Sequence, residues 1–437
     1  MIRTSITGIG DPFVLFHDGT YYLYATSAPD GFRCFTSADL VNWTCAGYCY
    51  SGSKWGENCF WAPEVYEREG KFYLLYTARW AEKHSLRIGL AVADSPLGPF
   101  VCEGLIVQSP AGWRTPNAID PQALFAEDRL WLVYGSYGLG LYLLELDPAT
   151  GLRKDGFVYA DFAAGKVSFG DYYGTHLASG SLEGGVLHYE RDVPVLENGQ
   201  WTKKNYYYLM CSFGSLSSAY NMRCARSETP EGPSTDVNGN PVVCSTDIGT
   251  GNKMLGSFRW ENDPVDYFCP GHNDMFVTSA GVRLIAYHCR TNYFIDKKLS
   301  RSNNFHYLYL GQFDYNSDGW PVMNANRYAG EELQDVTDEE LLNITAGKFE
   351  AVLFRQGVET AEAKRVVLRK DGTLDGAYKG RWKMYGSRYI SIETQGDEFS
   401  GVVMPAWIDH QSVAGLTVTA MGRRSGMALL LNSTYQI

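Results

Sequence analysis

Asp11, Asp120 and Glu183 are the residues whose types and spacing point most directly to chemistry, because each opens a copy of one recurring phrase. The phrase runs from an acidic or small polar residue into a short apolar strand, a tight turn and an aromatic-rich strand. Its first copy is Asp11-Pro12-Phe13-Val14-Leu15-Phe16, then His17-Asp18-Gly19-Thr20, then Tyr21-Tyr22-Leu23-Tyr24. Two further copies open at Trp61 and His272. Three carboxyl groups converging on one point supply the parts of general acid–base catalysis: a base that activates water, an acid that protonates a leaving oxygen, and a third group that tunes the acid. The acid must stay protonated at working pH, which burial or a neighbouring negative charge achieves. A single Asp-Pro is ordinarily a strand opener whose side chain caps its own backbone. Three carboxyls, an aromatic and an imidazole in a shared register argue instead for a common pocket.

Such a pocket needs elements that bring five distant positions together. The openings at 11, 61, 120, 183 and 272 are separated by 50, 59, 63 and 89 residues, each enough for a four-stranded sheet with loop insertions. Hairpins bounded by Gly or Asp turns recur, and helical periodicity is scarce over the first 330 residues. The pattern predicts an all-β chain with a five-bladed β-propeller at residues 1–330, the innermost strand of each blade lining a central channel. After Arg327 the pattern changes. Asp335-Val336-Thr337-Asp338-Glu339-Glu340-Leu341-Leu342 predicts a capped helical turn. Residues 335–437 predict a small accessory β-domain, a sandwich or a barrel, without chemistry of its own.

Composition narrows the classes. The net charge of −11, without a Lys/Arg-rich run, excludes nucleic acid as an expected partner. The 30 Tyr, 21 Phe and 11 Trp favour strands and supply flat faces for sugar rings. The 10 Cys form no C-x-x-C pair, so they predict buried reduced thiols rather than a zinc or redox site. No stretch is apolar for the roughly 18 residues of a membrane span. The start Met1-Ile2-Arg3-Thr4 shows no secretory leader. With the cysteines, this favours a cytoplasmic protein, or a secreted one if a leader has been removed. H-E-x-x-H and G-x-S-x-G are absent, against a zinc protease or serine hydrolase. His17, His84, His176, His188, His288, His306 and His410 show no ligand spacing and read as structural.

Several phrases add a resemblance. Asn117-Ala118-Ile119-Asp120-Pro121, Gly135-Ser136-Tyr137, Leu144-Glu145-Leu146-Asp147-Pro148, Ser218-Ala219-Tyr220-Asn221-Met222-Arg223 and Gly271-His272-Asn273 resemble glycoside hydrolase family 43, arabinanase type, over residues 1 to about 325. The tail around Val402-Val403-Met404-Pro405-Ala406-Trp407 is similar to the accessory domain of two-domain arabinanases. The resemblance implies Asp11 as general base, Glu183 as general acid, and Asp120 as the group that raises the acid's pKa and orients it. It implies His272 beside a central metal, most simply calcium, and inversion at the anomeric carbon with carboxyls roughly 6.5–9.5 Å apart. Trp61, Asn117, Ser136 and Arg290 become candidates for sugar contacts. The implied substrate is plant cell-wall arabinan or arabino-oligosaccharide, with no nucleic-acid or membrane partner. Glu64, in Trp61-Ala62-Pro63-Glu64, stands as the rival acid. An α-L-arabinofuranosidase or β-xylosidase of the same family, and a non-catalytic carbohydrate-binding propeller, stay open, as do endo and exo action.

Overall fold

Sequence pattern resolves here into a ring followed by a barrel. The computed structural model describes residue 6 and residues 8–52, 56–80, 85–110, 114–244, 251–261, 263, 265–291 and 306–434. Met1–Thr4, His84 and the side chain of Cys244 lie outside the described residues. The nine cysteines described are free thiols. No helix among the described residues is long and apolar enough to cross a membrane.

Five sheets form the propeller, and the four blade strands of each are antiparallel and in chain order. Blade 1 is Gly10–His17, Thr20–Thr26, Gly31–Ser37 and Thr44–Ser51. Blade 2 is Asn58–Arg68, Lys71–Trp80, Ser85–Ala93 and Val101–Ser109. Blade 3 is Gln122–Ala126, Arg129–Gly135, Leu141–Leu146 and Thr175–Ala178. Blade 4 is Leu182–Glu197, Gln200–Phe213, Asn221–Ser227 and Asn252–Leu255. Blade 5 is Asp266–Val277, Arg283–Thr291, Tyr307–Tyr315 and Pro321–Met323.

The first hairpins of blades 1 to 4 share one local cause. Their two-residue turns, Asp18-Gly19, Glu69-Gly70, Glu127-Asp128 and Asn198-Gly199, all have positive φ at both positions. That is the primed turn whose twist matches flanking antiparallel strands. The second strands of blades 2 and 3, and that of blade 4 from Tyr206 onward, are almost fully buried, because each is covered by a neighbouring blade on either side. The ring closes by packing of blade 5 on blade 1. Ile6, Ile9, Val14 and Leu23 share a core with Leu284, Ala286, Leu308 and Leu310. Gly8 N–H donates to the His306 carbonyl at 3.1 Å.

The C-terminal unit is a closed eight-stranded barrel, which decides between the sandwich and barrel expectations. Lys348–Phe354 pairs with Lys364–Leu368 on one edge and with Ala428–Ser433 on the other, and so closes the sheet on itself. The helix before it, Asp338–Asn343, carries a capping box between Thr337 and Glu340. The barrel is fused to the propeller. Met254, Phe258 and Trp260 share one core with Val352, Phe354, Val402, Met404 and Leu430. The short strand Ala361–Glu362 adds itself, in parallel, to Phe258–Arg259 at the edge of blade 5.

Candidate active site

Five residues with positive φ mark the mouth of the central channel: Asp11 (52°), Ala62 (45°), Asp120 (56°), Gly184 (57°) and His272 (49°). This corrects the sequence register in blades 2 and 4, where Trp61 and Glu183 had been aligned with Asp11. Both lie one residue earlier and pair in the sheet with Thr77 and Ser212, just as Gly10 pairs with Thr26 and Gly271 with His288. The cause is a β-bulge at the mouth of each of these four first strands, which shifts the register and re-aims the side chains.

A left-handed residue other than glycine carries strain on the order of 1 kcal/mol or more, so the surroundings must hold it. Here each blade holds the next. Ala62 N–H donates to Thr26 Oγ1 at 2.9 Å, and Asp120 N–H to Thr77 Oγ1 at 3.0 Å. His272 N–H donates to Ser212 Oγ at 2.6 Å, and Asp11 N–H to His288 Nδ1 at 3.1 Å. Between blades 3 and 4 the same position, Ser136, turns to the Glu183 side chain. Gly184 N–H donates instead to Asp120 Oδ2 at 3.2 Å. A Cβ on Gly184 would meet the His272 ring at 3.1–3.3 Å, so a larger residue here would press on that ring.

Asp11, Asp120, Glu183 and His272 therefore come together at the mouth. Asp11 accepts from Thr26 Oγ1 at 2.5 Å through one carboxylate oxygen, and its other oxygen lies 3.0 Å from His272 Nδ1. Glu183 is gripped by two hydroxyls, Tyr220 at 2.9 Å and Ser136 at 3.0 Å. Burial pushes the Asp120 carboxyl up to about 8; His272 opposes this, and Glu183 and Asp11 add to it. Burial also raises Glu183, against the pull of His272, Tyr220 and Ser136. Burial disfavours charge on His272, but the three carboxylates outweigh it and the imidazole is raised overall. Behind Asp11, His288 and His306 stack 4.0 Å apart with an interplanar angle of 3°. Burial holds both far below the usual imidazole range, His306 at about 3. Since His288 Nδ1 accepts the Asp11 N–H, that nitrogen carries no proton.

The remaining candidates are placed differently. Trp61 stands at the rim, 37% exposed. Asn117 donates to the Ser136 carbonyl at 2.8 Å, so it braces the residue that grips Glu183. Ser136 is 2% exposed and its hydroxyl is engaged with Glu183, which turns it from the expected sugar contact into a holder of that side chain. Arg290 donates from Nε to His306 Nε2 at 2.8 Å, and among the described residues no carboxylate pairs with it. Glu64 lies deeper in the channel and accepts from Ala123 N–H at 2.6 Å. Sequence reasoning missed Thr26, Thr77, Ser212 and His288. Their signal was present: a hydroxyl or imidazole stands at or near the C-terminal end of the second strand of every copy, as Thr26, Thr77, Ser136, Ser212 and His288.

Family comparison agrees with this geometry. Residues 6–321 match the description "Glycosyl hydrolases family 43", and residues 325–431 a C-terminal lipocalin-like domain of that family. The chain belongs to glycosyl hydrolases family 43. This family 43 enzyme is 28% identical to extracellular endo-α-(1→5)-L-arabinanase 2 of Bacillus subtilis (strain 168), over 91% of this chain and 87% of the relative. It is 31% identical to the extracellular endo-α-(1→5)-L-arabinanase of Thermotoga petrophila, over 80% of this chain and 75% of that protein. The crystal structure of endo-1,5-α-L-arabinanase from Thermotoga petrophila RKU-1 superposes with a TM-score of 0.82 at 25% identity, covering 99% of this chain and all of the other. The protein is thus a glycoside hydrolase with a propeller and a barrel.

Proposed function

We propose that this family 43 enzyme hydrolyses α-1,5-linked arabinan and arabino-oligosaccharides, acting within the chain and inverting the anomeric carbon. The observation that carries the reading is the contrast at the channel mouth: Asp11 is oriented by Thr26 and His272, whereas Glu183 is buried between two hydroxyl donors. The substrate and the endo mode follow the names of the two relatives that span most of the chain.

The steps use this chain's own groups. Asp11, as carboxylate, takes a proton from a water while that water's oxygen attacks the anomeric carbon. Glu183 gives its proton to the departing glycosidic oxygen, so one water is consumed and two sugar ends are released. Tyr220 and Ser136 then donate to the new Glu183 carboxylate, which stabilises charge where it develops. Burial raises the carboxyls of both Asp120 and Glu183, which favours the protonated form that the acid needs. Solvent resets both carboxyls after product leaves. No group of three or more His, Cys, Asp or Glu side chains among the described residues is arranged to hold a metal, so a central calcium ion would take the second ring nitrogen of His272 as its one protein ligand, with water supplying the rest. When bound, it supplies positive charge that holds the carboxylates against their mutual repulsion.

Digestion of debranched linear arabinan, with products separated by chromatography and the first-formed anomer read by proton NMR, tests the proposal. Internal cuts and an inverted anomer are expected. Activity confined to nitrophenyl xylosides or to arabinofuranose side branches would replace the substrate while leaving the family intact. Sugar binding without turnover would make the protein a carbohydrate-binding propeller.

A further inference from the structure

The barrel meets the propeller at two buried cations of blade 4, and the contact leads back to Glu183. Arg223 and Lys253 are 1% and 2% exposed. Together they bind the carbonyls of three consecutive barrel residues. Lys253 Nζ donates to Arg355 O at 2.8 Å and to Gly357 O. Arg223 Nη2 donates to Gln356 O at 2.9 Å, and its Nη1 to Gln356 Oε1 at 2.7 Å. On the propeller side, Arg223 Nε donates to Asn221 Oδ1 at 2.9 Å. Asn221 Nδ2 donates to the Phe213 and Ala219 carbonyls, both at 2.9 Å, and so braces both ends of the loop that carries Tyr220. Tyr220 is the residue whose hydroxyl reaches Glu183 at 2.9 Å.

Donor and acceptor chemistry gives this chain of contacts a direction. A guanidinium only donates, so Gln356 and Asn221 must both present their amide oxygens to Arg223. Their amide nitrogens are then committed elsewhere, Gln356 Nε2 to the Ser425 carbonyl at 2.8 Å and Asn221 Nδ2 to the Tyr220 loop. Neither amide can flip without breaking bonds at both ends. Deleting the Gln356 side chain removes one acceptor from a buried charge, which favours a shift of the guanidinium.

We propose that Gln356 of the barrel is a positioning residue for catalysis, which holds Tyr220 against Glu183 through Arg223 and Asn221. The inference rests on Glu183 being the acid. The accessory domain is then part of the catalytic apparatus, and the residues concerned are 133 positions apart in sequence.

A double-mutant cycle tests it on linear arabino-oligosaccharides, with Gln356→Ala, Tyr220→Phe and the pair combined. Gln356→Ala is expected to lower kcat about tenfold with KM within about twofold, a typical size for coupling through a network. Because the Tyr220 hydroxyl draws the Glu183 pKa down, loosening it moves the basic limb of the pH profile to higher pH. In the Tyr220→Phe background the Gln356 substitution is expected to add less than about twofold, since both act on one contact. Unchanged kcat, a change in KM alone, or a full tenfold loss in the Tyr220→Phe background overturns the proposal. Gln356→Met keeps the volume and removes the polar atoms; if it and Gln356→Ala both unfold, Gln356 only attaches the barrel and the proposal also falls. Glu183→Gln separates the two levels. Failure of the relay leaves that variant inactive, whereas failure of the acid assignment leaves it active.

Discussion

Two rings of the same channel use one architecture for opposite purposes. At the mouth, Asp11, Asp120 and His272 stand at left-handed positions with side chains turned to one another. Two residues deeper along each strand lie Phe13, Glu64, Gln122, Val186 and Asp274, which also line the channel. There the polar side chains accept backbone N–H groups of the following blade: Glu64 from Ala123, Gln122 from Leu187 and Asp274 from Val14. The deep ring stitches blade to blade, whereas at the mouth Asp11 and Glu183 take hydroxyl and imidazole partners, and Asp120 accepts the Gly184 N–H. Burial raises Glu64 and pushes Asp274 up to about 8, so a raised carboxyl by itself does not mark a catalytic one. What separates Asp11 and Glu183 from the deep ring is the kind of partner: hydroxyls and imidazole rather than backbone amides.

That distinction can be broken by substitution. The largest effect is expected from Asp11→Asn, which keeps the Thr26 contact but removes the base. Its kcat should drop by roughly 10²–10⁴ with an unchanged melting temperature, and a loss below about tenfold would contradict the role. Asp120→Asn comes next. With the group that orients the acid altered, kcat should fall by about 10²-fold. In the unaltered enzyme the basic limb of the kcat profile should lie above the usual carboxylate range, because burial raises both Asp120 and Glu183.

Much of this was legible in the sequence, and the failures have local causes. Five copies of a strand–turn–strand phrase announced the ring, because primed turns and aromatic second strands leave a plain pattern. The register of Trp61 and Glu183 was off by one because a bulge at the mouth inserts a residue that no periodicity reveals. Barrel and sandwich share the same alternation along each strand; only the pairing of Phe349 with Ser433 distinguishes them. The hydroxyls that hold Glu183, and the Gln356–Arg223 contact, join residues too far apart to be read from spacing.

Smaller effects sharpen the deep ring. Asp274 has a folded pKa of about 8 against an unfolded value of roughly 3.9. Its stabilising contribution is complete below pH ~4 and is lost as pH rises towards 8. Asp274→Asn should therefore flatten the pH dependence of unfolding free energy across that window, measured by urea denaturation, with kcat within about threefold of the parent enzyme. An unchanged slope would show that Asp274 does not titrate there. The smallest effect concerns calcium. Chelation with EDTA should lower activity a few-fold and calcium should restore it, less completely in His272→Ala; identical response of both proteins would place the ion elsewhere.

The most direct test compares two isosteric variants, Glu183→Gln and Glu64→Gln, by kcat on linear α-1,5-arabino-oligosaccharides. Loss of at least about 10²-fold in Glu183→Gln, with Glu64→Gln within about threefold of the parent enzyme, is the expected result. The reverse, an active Glu183→Gln and a dead Glu64→Gln, would move the acid into the deep ring and contradict the division between the two.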